Sequence, residues 1–250
     1  MKHYLLLVSI FIILFQSSCS KEIDNYDAPA ETLTGTIIDK STGKALNSEY
    51  GTSGLNIILE ELSWSDNPTP YNFGGKINGT FNNSKIFKGT YRINVEGPFV
   101  PLLQRDGQGN ITVDERKTID VSGVTEVNFE VDPFFKVEWA SELSVESDGR
   151  VSADVKYTRS TTNPAFQVNP NEMVILAGYT PHVLQMTNYD NRFQWGWSQN
   201  SSHLGKIQKV ITRANNRIPK GVKFYYRIGV RNSFNNKYNY SDTREMTIPN

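Results

Sequence analysis

The stretch Leu33-Thr-Gly-Thr-Ile-Ile-Asp39-Lys-Ser-Thr-Gly43-Lys-Ala-Leu46 decides the fold of this chain. Its first half alternates between two sets of side chains, the pattern of a β-strand whose neighbouring residues point to opposite faces. Ser-Thr-Gly at 41–43 then supplies a turn, because glycine accepts backbone angles that other residues avoid. The stretch therefore predicts a strand that enters a tight hairpin, and Gly35 within it predicts a close approach of a second strand.

The same pattern continues on both sides of this stretch and predicts an all-β chain. Short alternating segments are separated by turn pairs such as Asn78-Gly79, as in a β-sandwich. The segment 206–215 also shows a helical spacing, but its β-branched residues favour a strand. Proline in Asp132-Pro133 interrupts strand pairing and marks a boundary. We therefore expect two tandem antiparallel β-sandwich domains, at 31–132 and 133–250.

Two resemblances give these domains a type. Residues 33–46, with Asn78-Gly-Thr-Phe81 and Lys88-Gly-Thr-Tyr91, resemble a carboxypeptidase-regulatory-like, or transthyretin-like, domain. Residues 219–232 resemble the last hairpin of an immunoglobulin-like or fibronectin-III-like sandwich. The second resemblance implies that Tyr226 is a corner tyrosine, whose hydroxyl bonds to the preceding loop.

The N-terminus has the parts of a lipoprotein signal peptide. Residues 1–18 comprise a basic start, an apolar run at 4–15 and small residues before Cys19. The apolar run is shorter than the roughly 20 residues that a membrane-spanning helix needs. We expect Cys19 to be the lipid-attachment residue that anchors the protein in the outer membrane, with residues 19–30 as a polar tether. Acidic residues in this tether resemble the surface-export signal of Bacteroidota lipoproteins.

The composition excludes several classes of function. The chain has 250 residues, with 26 Lys and Arg against 26 Asp and Glu, so it lacks the basic excess that nucleic-acid binding requires. Its single cysteine excludes an internal disulfide, and its three histidines show no spacing typical of a metal site. No catalytic motif is present. We therefore expect no enzyme activity, no metal and no cofactor.

The aromatic residues are the best candidates for ligand binding. Trp195 and Trp197 would share one face of a strand, about 6.6–6.8 Å apart, with Tyr189 nearby. Trp64 and Tyr71 lie in or beside a loop that contains two prolines. Each group could stack on sugar rings or could instead be buried, as a core tryptophan or as a lid on the sandwich. The sequence leaves these alternatives open.

The combination of lipid anchor and two such domains resembles a two-domain Bacteroidota lipoprotein family of unknown function. Residues 61–70 and 97–101 carry this resemblance most clearly. Members are associated with glycan importers of the starch-utilisation type, which implies polysaccharide utilisation. We therefore expect a cell-surface lipoprotein that binds glycan or assists an outer-membrane importer. The alternative is a structural subunit or adhesin that contacts protein partners through aromatic patches.

Overall fold

The computed structural model describes residues 27–186, 188–214 and 216–249, and in these ranges the chain is nearly all β. Cys19 and the predicted signal peptide lie outside the described residues. Each sheet takes its strands from one side of residue 132 only, so we call residues 31–132 the N-terminal module and residues 133–249 the C-terminal module.

The N-terminal module packs two four-stranded sheets around one core and has a separate two-stranded hairpin of its sixth and seventh strands. Its strands are β1 (Glu31–Asp39), β2 (Gly51–Glu61), β3 (Tyr71–Gly75), β4 (Thr80–Ile86), β5 (Gly89–Glu96), β6 (Leu103–Arg105), β7 (Ile111–Asp114), β8 (Lys117–Val121), β9 (Val124–Glu126) and β10 (Phe129–Val131). One antiparallel sheet has the order β3-β2-β5-β8. In the other, β1 pairs antiparallel with β4 and parallel with both β9 and β10. Residues of both sheets contribute to a single buried cluster.

Gly35 lies where two strands and a ring meet. A β-carbon at this position would lie 1.8 Å from the carbonyl oxygen of Val127 and 2.5 Å from the ring of Phe81. Only glycine fits such an approach. The close approach that the sequence predicted at Gly35 is therefore confirmed.

The C-terminal module is a second two-sheet sandwich. Its strands are β11 (Phe135–Trp139), β12 (Ser144–Val145), β13 (Val151–Arg159), β14 (Pro170–Gly178), β15 (Trp195–Ser198), β16 (Ile207–Ile211), β17 (Lys223–Asn232), β18 (Tyr238–Tyr240) and β19 (Arg244–Thr247). Strand β13 pairs with β11, β12 and β16 in one sheet. The other sheet has the order β15-β14-β17, and β17 also pairs with β18 and β19. The ambiguous segment 206–215 thus contains a strand, as its β-branched residues predicted.

The expectation of a tyrosine corner at Tyr226 is wrong. Its side chain is fully buried in the core of the C-terminal module, 6.5 Å from the Phe224 ring. Among the described residues its hydroxyl has no hydrogen-bond partner, and burial raises its pKa. The ring points into the sandwich core, which it shares with the buried Ile218 of the preceding loop.

The two modules meet through a polar interface. The ammonium group of Lys237 donates to three consecutive backbone carbonyls of the N-terminal module, at Thr52, Ser53 and Gly54. Asn239 donates to the carbonyl of Pro98 at 2.9 Å and accepts from the backbone of Phe135. These contacts fix the position of one module against the other, since each polar group that they bury is paired.

A buried carboxylate lies at the centre of this interface. Glu49 is 2% exposed and accepts the hydroxyl of Tyr240 at 2.6 Å. It also accepts the backbone N–H groups of Gln185 at 3.1 Å and Met186 at 3.4 Å. We call these contacts the Glu49 clamp. Through the clamp, the N-terminal module holds a loop of the C-terminal module.

Candidate functional site

A surface depression of about 500 Å³ lies at the end of strand β14, beside the loop that the clamp holds. Strand β14 is a nearly continuous apolar run that ends at Gly178, and polar residues and tyrosines follow it. We call this depression the loop site. Its lining comprises Gly178, Tyr179, Thr180, Met186, Asn188, Tyr189, Asp190 and Asn191.

Arg192 and Asp190 form an ion pair at one side of the loop site. Arg192 donates to both carboxylate oxygens of Asp190, from Nε at 3.0 Å and from Nη2 at 2.6 Å. Its Nη2 also donates to the hydroxyl of Tyr179 at 2.8 Å. The hydrogen bonds from Arg192 hold the pKa of Asp190 below its usual range. This geometry fixes the Tyr179 ring beside a charged, bidentate pair.

Asn188 stabilises the part of the loop around residues 180–184 by hydrogen bonds. Its side-chain amide donates to the Thr180 hydroxyl at 2.9 Å and to the carbonyl of His182 at 2.8 Å. Its backbone forms an isolated bridge with Leu184, so the segment folds back on itself. Among the described residues no group donates to the amide oxygen of Asn188, which remains a hydrogen-bond acceptor for a ligand.

Two tyrosines supply the aromatic surface of the loop site. Tyr179 is 49% exposed and packs on the Phe224 ring, with 4.4 Å between ring centroids. Tyr189 is half-buried against a small apolar cluster. Aromatic rings bordered by amide and carboxylate groups can bind ligands that have both an apolar face and hydroxyl groups.

Trp195 is linked to the loop site through Arg213, whereas Trp197 packs on the core. Both belong to the edge strand β15, opposite the buried Ile175 and Met173 of β14. Trp197 packs against the core, while Trp195 is 41% exposed. The guanidinium of Arg213 lies 5.8 Å from the Trp195 ring and donates to the carbonyl of Asn191 in the loop site. The two tryptophans therefore do not form an outward-facing pair.

Trp64 and Tyr71 lie on the other module. Trp64 is 65% exposed and Tyr71 is 53% exposed. The Tyr71 hydroxyl accepts from the side chain of Asn83 at 3.2 Å, and its ring lies 6.2 Å from that of Phe73. Both are exposed aromatic residues of the N-terminal module, whereas Trp195 belongs to the C-terminal module.

Family comparisons agree with this architecture. Residues 31–132 match the model described as "Protein of unknown function (DUF3823) N-terminal domain". A DUF3823 family protein from Bacteroides uniformis ATCC 8492 is 30% identical, with a TM-score of 0.78. The match covers 88% of this chain and 100% of that one. The chain belongs to the DUF3823 family.

Two further solved structures resemble this DUF3823 chain in fold. A family member from Parabacteroides merdae ATCC 43184 is 23% identical with a TM-score of 0.66, covering 88% of this chain and 100% of its own. A Bacteroides uniformis protein described as a "putative carbohydrate binding protein" is 18% identical with a TM-score of 0.64, at the same coverages. No curated protein sequence matches the chain.

The described part of the DUF3823 chain contains no group of three or more potential metal ligands among its His, Cys, Asp and Glu side chains. Its described helices include none long and apolar enough to span a membrane.

His203 has a structural role. It caps a short 3-10 turn (Ser201–His203), where its Nδ1 accepts the backbone N–H of Asn200 at 3.2 Å.

Sequence reasoning found only part of the loop site. It named Tyr189, but it missed Tyr179 and Met186, which come from the start and the middle of the loop at 179–194. A local signal for Tyr179 existed, because the tyrosine follows directly after the apolar run that ends at Gly178. Nothing local indicates Met186, whose place depends on the Glu49 clamp from the other module.

Proposed function

We propose that this DUF3823 protein is a non-enzymatic glycan-binding lipoprotein of the cell surface, and that its loop site contacts the glycan. The observation that carries the proposal is the exposed Tyr179 ring held beside the Asp190–Arg192 pair. Sugars present apolar C–H faces and hydroxyl edges, which match an aromatic ring and a polar border respectively. The structural similarity to a protein described as a "putative carbohydrate binding protein" supports the same class of ligand.

The affinity of such a site is expected to be weak. The depression is open and shallow and offers few aromatic contacts, so stacking and a few hydrogen bonds supply only a modest free energy. We expect dissociation constants from micromolar to millimolar. Weak capture suits a protein that many anchored copies present together and that delivers glycan to an outer-membrane importer.

The membrane anchor is the second part of the proposal and rests on the sequence around Cys19. Acyl chains on this residue would hold the protein at the outer membrane. Labelled palmitate should enter the wild-type protein, and Cys19→Ala should leave the membrane fraction. Absence of label from the wild-type protein would overturn this part.

A protein partner is the second candidate function, and the aromatic surface of Trp64 and Tyr71 favours it. Phe87 on the same module is 48% exposed, so this module presents several large apolar side chains to solvent. Exposed apolar groups of this kind are typical of protein interaction sites. A structural subunit of an importer, or an adhesin, would use this surface.

Affinity electrophoresis in gels that contain polysaccharide separates the two functions. The panel comprises amylopectin, mannan, a mixed-linkage β-glucan and polygalacturonate, and the variants are Tyr179→Ala and Trp195→Ala, with Trp64→Ala as the matched control. We expect a panel member to retard the wild type and Trp64→Ala but not the loop-site variants, whose melting temperatures stay close to wild type. Retardation that is lost only in Trp64→Ala, or that no panel member produces, would overturn the proposal.

A further inference from the structure

A second cavity lies between the two modules, away from the loop site. It has a volume of about 380 Å³, within the range of small-ligand sites, and it is more enclosed than the loop site. One wall is the turn at 39–47 of the N-terminal module. The other is strand β11 together with residues 239–244 of the C-terminal module. We call this cavity the intermodule cleft.

The walls of the intermodule cleft carry equal numbers of positive and negative side chains. The cations are Lys44, Lys136 and Arg244, and the anions are Asp39, Glu138 and Asp242. With three of each sign, the cleft offers no net attraction to a strongly charged ligand.

The anions of the cleft already have partners. Glu138 forms an ion pair with Lys136 at 2.7 Å. Asp242 accepts the side-chain amide of Asn47 at 3.0 Å, and this bond links the two walls. Asp39 accepts from the backbone and hydroxyl of Ser41. A ligand therefore meets acids whose oxygen atoms already accept hydrogen bonds or an ion pair, in a cleft without net charge, and these groups favour a neutral, hydroxyl-rich molecule.

The cleft also has an apolar floor and an aromatic end. Phe135 and Val137 are buried beneath it, and the half-buried Trp139 lies at one end. The indole N–H of Trp139 donates to the carbonyl of Asp242 at 2.9 Å, which fixes the ring. The Arg244 guanidinium lies 5.2 Å from the ring centroid.

Arg244 retains donors for a ligand. Its Nη1 donates to the carbonyl of Ser141 at 2.6 Å and pairs with Glu142 at 3.3 Å. The N–H groups on Nε and Nη2 have no acceptor in the part of the chain that the structure describes. A guanidinium has five N–H donors, so three remain for sugar hydroxyl oxygens.

We propose that the intermodule cleft is a second binding site, which takes a segment of a neutral glycan between the two modules. The Lys237 and Glu49 contacts hold its walls at a fixed separation before any ligand arrives, which lowers the entropic cost of binding. This site is independent of the loop site. A glycan chain that occupied both would bind with avidity rather than through a single weak contact.

The test uses 19F NMR of full-length protein labelled with 5-fluorotryptophan, titrated with oligosaccharides prepared from the same polysaccharide panel. Ala45→Phe adds bulk to the cleft from an exposed position, and Val124→Phe adds the same bulk at a residue that is 78% exposed outside it. We expect a neutral oligosaccharide to shift the Trp139 resonance in wild type, in Val124→Phe and in Trp195→Ala. The shift should disappear in Ala45→Phe.

The outcomes distinguish this inference from the proposed function. If ligand shifts the Trp195 resonance but not that of Trp139, or if Ala45→Phe binds as the wild type does, the cleft proposal is overturned and the loop site stands. If Trp139 responds but Trp195 and the loop-site variants do not, the cleft is supported and the loop-site proposal falls. If only polygalacturonate fragments shift Trp139, the neutral-ligand inference is wrong. If no oligosaccharide shifts any resonance, both are overturned.

Discussion

Replacing Glu49 with glutamine should loosen the joint between the modules. In the wild type, the buried carboxylate accepts one hydroxyl and two backbone N–H groups. Glu49→Gln keeps the shape but exchanges one acceptor oxygen for an NH₂ group. The Tyr240 hydroxyl can turn to accept from that NH₂ group, but a backbone N–H cannot, so the group faces the N–H of Gln185 in one orientation and that of Met186 in the other. The substitution therefore creates an opposed pair of buried donors.

The size of the effect follows from these contacts. A hydrogen bond to a charged acceptor contributes about 1.5–3 kcal/mol, and an unsatisfied buried donor costs about 1–3 kcal/mol. Arg227, which is 2% exposed and lies 4.3 Å from the Tyr240 ring, also loses a nearby negative charge. We expect Glu49→Gln to lower the free energy of unfolding by about 3 kcal/mol, more than a hundredfold in the folding equilibrium.

Two control variants isolate the clamp. Tyr240→Phe removes one donor and leaves both backbone bonds, so it should cost about 1–2 kcal/mol. Glu130→Gln changes an exposed acid on β10 and should stay within about 0.5 kcal/mol of wild type. Urea unfolding gives these free energies. Hydrogen exchange should show faster exchange of the Gln185 and Met186 amides in Glu49→Gln.

One combination of results would show that the carboxylate of Glu49 is not needed at this position. If Glu49→Gln unfolds at the same urea concentration as Glu130→Gln, and both loop amides exchange at the wild-type rate, then Glu49 does not hold the loop.

Three further predictions concern packing, a buried hydroxyl and pH. Gly35→Ala should lower the free energy of unfolding by about 3 kcal/mol through overpacking, whereas Gly107→Ala, with open space around it, should change it little in the same urea titration. Tyr226→Phe removes a buried hydroxyl without a described partner and should leave the melting temperature unchanged or raised; a fall of several degrees would reveal a missed partner. The pKa of Asp190 is lowered by its hydrogen bonds from Arg192, so this pair stabilises the loop site fully above the ordinary aspartate pKa of about 3.9 and loses its contribution as the pH falls through the lowered value. NMR titration of the Asp190 carboxyl should give that lower midpoint, and an ordinary midpoint would contradict it.

Local patterns predicted the strands because strand formation depends on local periodicity. The turn at Gly43 and the close approach at Gly35 could be inferred from single residues, since only glycine has the required freedom. The loop site could not be inferred in the same way. Tyr179 and Asp190 are eleven residues apart, and Arg192 binds both of them.

The same limit explains the error at Tyr226. The sequence motif gave the strand correctly, but the partner of a hydroxyl depends on where another segment packs. The clamp is a stronger example, because Glu49 and Tyr240 are separated by 191 residues. No periodicity in either segment indicates that they meet.

The parallel pairing of β1 with β10 has a mechanical consequence. Force applied at the N-terminus pulls β1 from its first residue, and the reaction from the C-terminal module pulls β10 from its last. Because the strands are parallel, with Ile37 opposite Phe129 and Asp39 opposite Val131, these two pulls slide the strands along each other. The evenly spaced hydrogen bonds of a parallel ladder then bear the load together in shear rather than opening one after another. The N-terminal module is thereby built to resist force that is applied at its N-terminus.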